Sequence, residues 1–528
     1  MTFKRIQHFV LLIVASVTAL AGAAAQAETM RANIVDERGR IVGQKSIRDL
    51  SLCGSDLGPR LIAEGHLNEI GRLHLDCSSR FEPFQGAGQS WPGAEVVTLV
   101  NQGPSQNRID LTIVGDGYTA AQKAKFFDDA KKITQDLFGQ DTFATYLPLF
   151  NVHAVFVPSA ESGIGDGRPK NTALKLYRHP TTRQAVMPGS PYDAERASRL
   201  APDVDYPILV ANDPFYGGLG GQFAITTSAP LNLTTVLRHE LGHNFGRVGE
   251  EYDGGQVYSG ANHSRSAQVP WMHWVRGQLQ VHKAELLYYV APWQNLGKAP
   301  LEVGVRVPQG FRRLFIDFSS LGMDSKEDVA LFVNGQRIAF DGNFNYDRNF
   351  YRVELPVQAG EQRLVFQELK KDGNNIISKV ALYALPDGFP MDTPLTGAFA
   401  TYNQGNQMVG YRPTESFCLM RDMKSHKFCS VCLENMWRNF LREISLIDGI
   451  AQSGSVIEAK VLPLGNRIAV RWVDPRGQVR EKLNNVLKWE AAAGDKGRWT
   501  MQAAFVSNEV ADPQAASWAI HNKTIDVQ

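Results

Sequence analysis

Hydrophobic and polar positions change period along the chain, and the changes divide it. From about residue 106, short apolar runs alternate with segments of helical period. Asn107 to Val114 (NRIDLTIV) reads as a strand ending at Gly115-Asp116-Gly117-Tyr118. Thr119 then stands at capping-box distance from Gln122, and Phe126, Phe127, Ala130, Ile133 and Leu137 recur behind it at helical intervals. Strands are predicted at Phe150 to Val157 and Tyr206 to Ala211, and the run Tyr216 to Thr227 (YGGLGGQFAITT) leads into a helix from about Thr234 to Phe245. Neither a P-loop nor GxGxxG can be written through those glycines. They predict a close backbone approach, as at a substrate-binding edge strand.

Elsewhere the pattern is β. Before residue 106 there are short runs (Arg31 to Val35, Arg72 to Leu75, Val96 to Leu99) broken by Gly, Pro and Ser. Between about 285 and 390 helical period vanishes, and Arg313 to Phe318, Val329 to Val333, Gln336 to Phe340, Tyr351 to Leu355 and Arg363 to Phe366 read as strands. Asn334-Gly335 supplies the residues of a type I′ hairpin. This spacing predicts a β-sandwich module. One helical segment, Glu434 to Ile444, precedes a last β-rich stretch whose clearest strand is Arg467 to Val473.

The predicted fold class is multidomain α/β plus β. A β-rich domain covers 28–105, and an α/β domain is split over 106–284 and 393–450. A β-sandwich-like module at 285–392 is inserted between those parts, and a β-rich domain covers 451–528. A chain of 528 residues has room for several cores, since single cores rarely grow past roughly 250–300 residues.

A formal net charge of +1 removes any expectation of nucleic-acid binding. Lys4 and Arg5 precede the apolar stretch Phe9 to Leu20, and Ala25-Gln26-Ala27 is a small-x-small cleavage site. Residues 1–27 therefore read as a signal peptide cut after Ala27. The stretch is shorter than the ~20 residues a spanning helix needs. The expectation is a secreted or periplasmic protein without a membrane span. Export places the five cysteines in a disulfide-permissive compartment. Cys53 and Cys77 are close enough in sequence to staple a small domain. Within Cys418, Cys429 and Cys432 a local disulfide is expected, because no second CxxC supports a zinc knuckle and no strand–helix context supports a redox motif.

The decisive run is Leu237 to Gly246, LRHELGHNFG. His239 and His243 project from one helical face on successive turns, so both imidazoles reach one Zn²⁺. Glu240 stands beside the first ligand, placed to take a proton from water and pass one to a leaving amine. Val236, Leu237 and Leu241 give the helix an apolar flank that a chance HExxH on a solvated helix would lack. Gly246 is read as its end. Glu250-Glu251-Tyr252-Asp253 follows, and a third carboxylate ligand is expected from Glu250 or Glu251, leaving one position for water.

These residues resemble the metzincin pattern, with Gly246 at its glycine turn, although Gly249 stands where that pattern has a ligand. They are more similar to the bacterial IgA-specific metalloendopeptidase family, with its HELGHxF run and acid-Glu-Tyr triplet. Asp110 to Thr119, Asn151 to His153 with Pro158 to Gly163, Trp271 to Trp274, and Tyr411 to Arg421 with Phe428 to Cys432 extend the resemblance. It implies a metzincin-like α/β zinc peptidase domain holding one catalytic Zn²⁺, with Met420 in a Met-turn beneath the metal. It also implies Tyr411 or Tyr252 as a catalytic oxyanion donor, and it favours Glu251 over Glu250 as third ligand. The expected function is an exported zinc endopeptidase acting on protein or glycoprotein, with Glu240 as general base and with glycan contact through the β-modules. The alternative is a non-catalytic adhesion or glycan-binding protein with a vestigial peptidase domain.

Overall fold

Both faces of the strands Ile109–Asp116 and Phe150–Phe156 are covered, and every residue of both is buried. The computed structural model describes residues 90–528 apart from 256, 257 and 392, and before them the backbone of four strands. The predicted signal peptide, its cleavage site, Cys53 and Cys77 lie outside the described residues.

The two buried strands belong to a six-stranded sheet. Its order is Gly218–Leu219, Ala224–Thr227, Tyr206–Ala211, Ile109–Asp116, Phe150–Phe156 and Glu95–Val100. The four inner strands are parallel and both edges antiparallel. Glu95–Val100, assigned from sequence to the N-terminal β-rich region, is thus an edge of this sheet. Alternation along the strands separates two faces. Ile109, Leu111, Ile113, Val152, Ile208 and Val210 pack with the helices Lys123–Gly139, Thr235–Gly246 and Ser430–Glu443. Val114, Val155, Leu209 and Ile225 pack on the other side with Ala194 and Ala197 of the Pro191–Ser198 helix. The Thr119–Gln122 capping box forms, but around a short 3₁₀ turn that leads into the helix.

The motifs before the HExxH helix are scaffold. Asp116 accepts from the Leu174 and Leu176 amides and from Thr172, each at 2.8 Å. Gly117 has φ +75°, and a Cβ there would lie 2.4 Å from the Gly163 carbonyl. The GDGY and SAESG segments therefore clamp one another. His153 pairs with Asp110 at 2.9 Å inside the sheet.

Before residue 90, four strands form an antiparallel sheet in the order Ile41–Ile47, Met30–Val35, Ile70–Asp76, Asp56–Leu61. Residues 285–385 build two facing antiparallel sheets. One has the order Glu285–Val290, Ile376–Leu385, Arg313–Leu321, Asn349–Pro356, and the other Leu301–Val307, Gly360–Glu368, Val329–Val333, Gln336–Ile338. Their inner faces share one core, including Val303, Val305, Ile316, Phe318, Leu331, Tyr351 and Phe366. Asn334 and Gly335 have φ of 52° and 81°, as a type I′ turn requires. The outer face of the first sheet is buried too: Phe315, Ala381 and Tyr383 pack with Phe399, Ala400 and Tyr402. The last strands share the main core, where Trp437 packs on Phe505 with ring centroids 4.3 Å apart.

Candidate metal-binding active site

The Thr235–Gly246 helix is buried on almost every side, its histidines included. Gly246 is its last residue rather than its turn. The left-handed position falls on Arg247 (φ 50°), whose amide donates to the His243 carbonyl at 2.9 Å. The chain then reverses, and Asn262 holds Gly249 by both its amide and its carbonyl, each at 2.9 Å.

This reversal brings Glu250 to the histidines. Its Oε2 lies 3.0 Å from His239 Nε2 and its Oε1 3.2 Å from His243 Nε2. Each imidazole is oriented from behind by a backbone carbonyl. His239 Nδ1 donates to Leu419 O at 3.2 Å, and His243 Nδ1 to Val248 O at 2.7 Å. With both protons on Nδ1, both Nε2 lone pairs point at the same space, the tautomer that metal-binding histidines need. Ligand distances of about 2.0–2.2 Å at tetrahedral angles imply edges of about 3.3 Å, and the observed separations match. Burial disfavours a charge on His239, but Glu250 and then Glu240 raise its pKa to about 9. Burial likewise opposes ionisation of Glu250, yet His243 and His239 hold it well below the usual carboxylate range. The three groups are arranged around positive charge, and they fit a divalent cation.

Glu240 points at Gly220. A Cβ on Gly220 would fall 1.9 Å from Glu240 Oε2, so only glycine leaves the carboxylate its place. The predicted close approach at the glycine run is therefore real, but its partner is the candidate base. The edge strand is partly covered as well, since the Gly218 amide donates to Gln184 O at 2.9 Å. Beneath the helix, a Cβ on Gly242 would lie 2.7 Å from Met420 Sδ and 2.8 Å from Phe428. Met420 is fully buried there.

The sequence preference for Glu251 as third ligand is corrected by the geometry. Glu251 faces away from the histidines, with Oε1 accepting from Asn262 at 3.0 Å and lying 3.4 Å from Cys432 Sγ. Asp253 takes a third direction, accepting from the Tyr383 hydroxyl and the Tyr402 amide, each at 2.8 Å. The expected local disulfide is also corrected: Cys418, Cys429 and Cys432 are free thiols gathered around Glu251. Tyr411 sits in the strand Met408–Arg412, its backbone paired with Ala400 and Ser264. The tyrosine whose ring packs on His239, centroids 5.8 Å apart, is Tyr252. Its hydroxyl bonds Glu250, and burial followed by that carboxylate raises its pKa well above 10.

Sequence reasoning missed Asn262 and the orienting carbonyls of Leu419 and Val248. A carbonyl carries no side-chain signature, and an isolated asparagine carries little. The glycine run did signal Gly220.

Residues 97–296 match the model of the family described as IgA Peptidase M64. Over that segment the chain is similar to the IgA peptidase M64 family. The family is one of metallopeptidases, and the His239–His243–Glu250 group lies within the match. No curated protein matches the chain. Among solved structures, latent PorU from Porphyromonas gingivalis is similar over 30% of this chain and 19% of its own, at 14% identity and TM-score 0.18. An exo-β-1,3-galactanase from Phanerochaete chrysosporium is similar over 16% of this chain and 21% of its own, at 18% identity and TM-score 0.13. The CBM51-2 and INT domains of ZmpB from Clostridium perfringens are similar over 43% of this chain and 72% of their own, at 11% identity and TM-score 0.13. The chain thus spans about a fifth of the first two, and likenesses this weak carry no argument about fold or activity. Among the described residues no helix is long and apolar enough to cross a membrane.

Proposed function

We propose that the chain is an exported zinc-dependent endopeptidase with a metzincin-like α/β domain, acting on protein or glycoprotein substrates. The observation that carries the reading is the convergence of His239, His243 and Glu250, with Glu240 on the same helix. Both imidazoles are held through Nδ1 by backbone carbonyls and turn Nε2 to the shared space, so the three side chains are placed to hold Zn²⁺. When bound, zinc lowers the pKa of a water towards ~7 and polarises a carbonyl.

The protein supplies the rest. Glu240, its carboxylate against Gly220, accepts the proton of the attacking water and returns it to the leaving amine. Of the two candidate tyrosines, Tyr252, whose ring packs on His239, is the one we assign to donate to a developing oxyanion. At rest its hydroxyl bonds Glu250, so that role requires the phenol to swing. Met420 and Phe428 support the helix floor at Gly242. No observation supports glycan contact by the β-modules, and that expectation is not carried forward.

The test is digestion of casein by the purified chain. Activity is expected to disappear with a chelator and return with zinc. Cleavage that survives complete metal removal would sink the reading.

A further inference from the structure

Directly behind Glu250 lies a second cluster that the peptidase chemistry does not use. Glu251, Cys418, Cys429 and Cys432 each offer one ligand atom, all within 4.8 Å of one another. All four residues are no more than 1% exposed. Cys432 Sγ lies 3.4 Å and Cys429 Sγ 3.9 Å from Glu251 Oε1, and Cys418 Sγ lies 3.8 Å from Cys432 Sγ. Glu251 Oε2 is buried without a hydrogen-bond partner. A buried carboxylate oxygen left so is costly, and three thiols are weak donors to compensate it.

We propose that these four residues hold a second, structural metal ion, Zn²⁺ or a cation of similar softness, in a closed Cys₃Glu site. Zn–S bonds of about 2.3 Å and Zn–O bonds of about 2.0–2.2 Å at tetrahedral angles give S···S edges of about 3.8 Å and S···O edges of about 3.5 Å. The Cys418–Cys432 separation of 3.8 Å and the Cys432–Glu251 separation of 3.4 Å match these edges, and the Cys429–Glu251 separation of 3.9 Å is somewhat longer. Its outer contacts also suit bound thiolate. Cys429 stands at the N-cap of the Ser430–Glu443 helix, whose N-terminal partial positive charge favours thiolate. Asn262 donates to Glu251, and Arg412 contributes positive charge nearby. Binding releases the protons of the three thiols, and of the carboxyl where protonated, to solvent. Four protein ligands and full burial leave no position for water, so the site ties rather than catalyses. It ties the 418–432 segment, which orients His239 through Leu419 O, to the residue next to Glu250.

The full-length chain, purified without chelator and supplied with zinc, is assayed for bound metal beside His239→Ala and Cys432→Ser. Two equivalents are expected in the wild type and one in each variant. Cobalt in His239→Ala should show a thiolate-to-cobalt charge-transfer band that Cys432→Ser lacks. A single wild-type equivalent that vanishes in His239→Ala, or a disulfide found within Cys418, Cys429 and Cys432, overturns the proposal. A single equivalent carrying the thiolate band supports it and removes the histidine site instead. If Cys432→Ser does not fold, the cobalt spectra of the wild type and His239→Ala decide alone, and the absence of the band from both overturns the second site.

Discussion

Glu250 and Glu251 are neighbours in sequence that face opposite sites: Glu250 Oε2 lies 3.0 Å from His239 Nε2, and Glu251 Oε1 lies 3.4 Å from Cys432 Sγ. The Glu251 amide donates to Met420 O at 3.0 Å, which fixes which acid turns inward. Glu250→Gln is therefore expected to lose metal from the histidine site. Affinity should fall by more than the roughly 10–100-fold cost of an outer-contact change. Zinc titration against a competing chelator checks this, and an unchanged affinity would remove Glu250 as a ligand.

In the proposed reaction Glu240 acts as the base and does not hold the metal. Glu240→Gln should lower kcat on casein by about 10²–10⁴-fold, the usual range for a lost general base. Metal content and thermal midpoint should stay as in the wild type.

Gly220→Ala tests the same carboxylate from its other side. The new methyl would fall 1.9 Å from Glu240 Oε2, the mobile end of a side chain, so the carboxylate must move. A fall in kcat with little loss of stability is expected. A variant with wild-type kinetics would show that Glu240 does not act from this position.

Gly242→Ala has the opposite signature. Its methyl meets Met420 Sδ at 2.7 Å and the Phe428 ring at 2.8 Å in a closed interior. Overpacking of this kind costs about 1–3 kcal/mol. Denaturant unfolding should register that loss, and stability equal to wild type would mean the floor of the helix is looser than described.

Part of the acid sensitivity should trace to Asp448. Arg108, whose side chain is 2% exposed, reaches it at 2.7 and 3.0 Å, and Asn107 donates to it at 2.7 Å. Burial opposes its ionisation, but hydrogen bonds from Arg108 and Asn107 and the Arg108 charge hold its pKa below 3.8. A carboxyl with a depressed folded-state pKa stabilises fully above its unfolded value. That contribution is lost as pH falls through the folded one. Asp448→Asn should be less stable near neutrality and lose less stability than wild type as pH drops below 3.8. Parallel acid-denaturation curves would refute this assignment.

The sequence by itself determined the elements whose cause is local. The HExxH spacing places two imidazoles on one helical face whatever surrounds it, and Asn334-Gly335 makes its turn from backbone preference alone. The capping residues Thr119 and Gln122 also act within one turn. Tertiary structure decided the rest: that Glu250 rather than Glu251 meets the histidines, that Tyr252 rather than Tyr411 packs on His239, and that three thiols gather around a buried carboxylate. Those outcomes depend on where the 418–432 segment docks, more than 160 residues beyond the helix it supports. No periodicity encodes such a contact. It is set by which buried amide finds which carbonyl, as Glu251 finds Met420, and one residue of register there exchanges the roles of two adjacent glutamates.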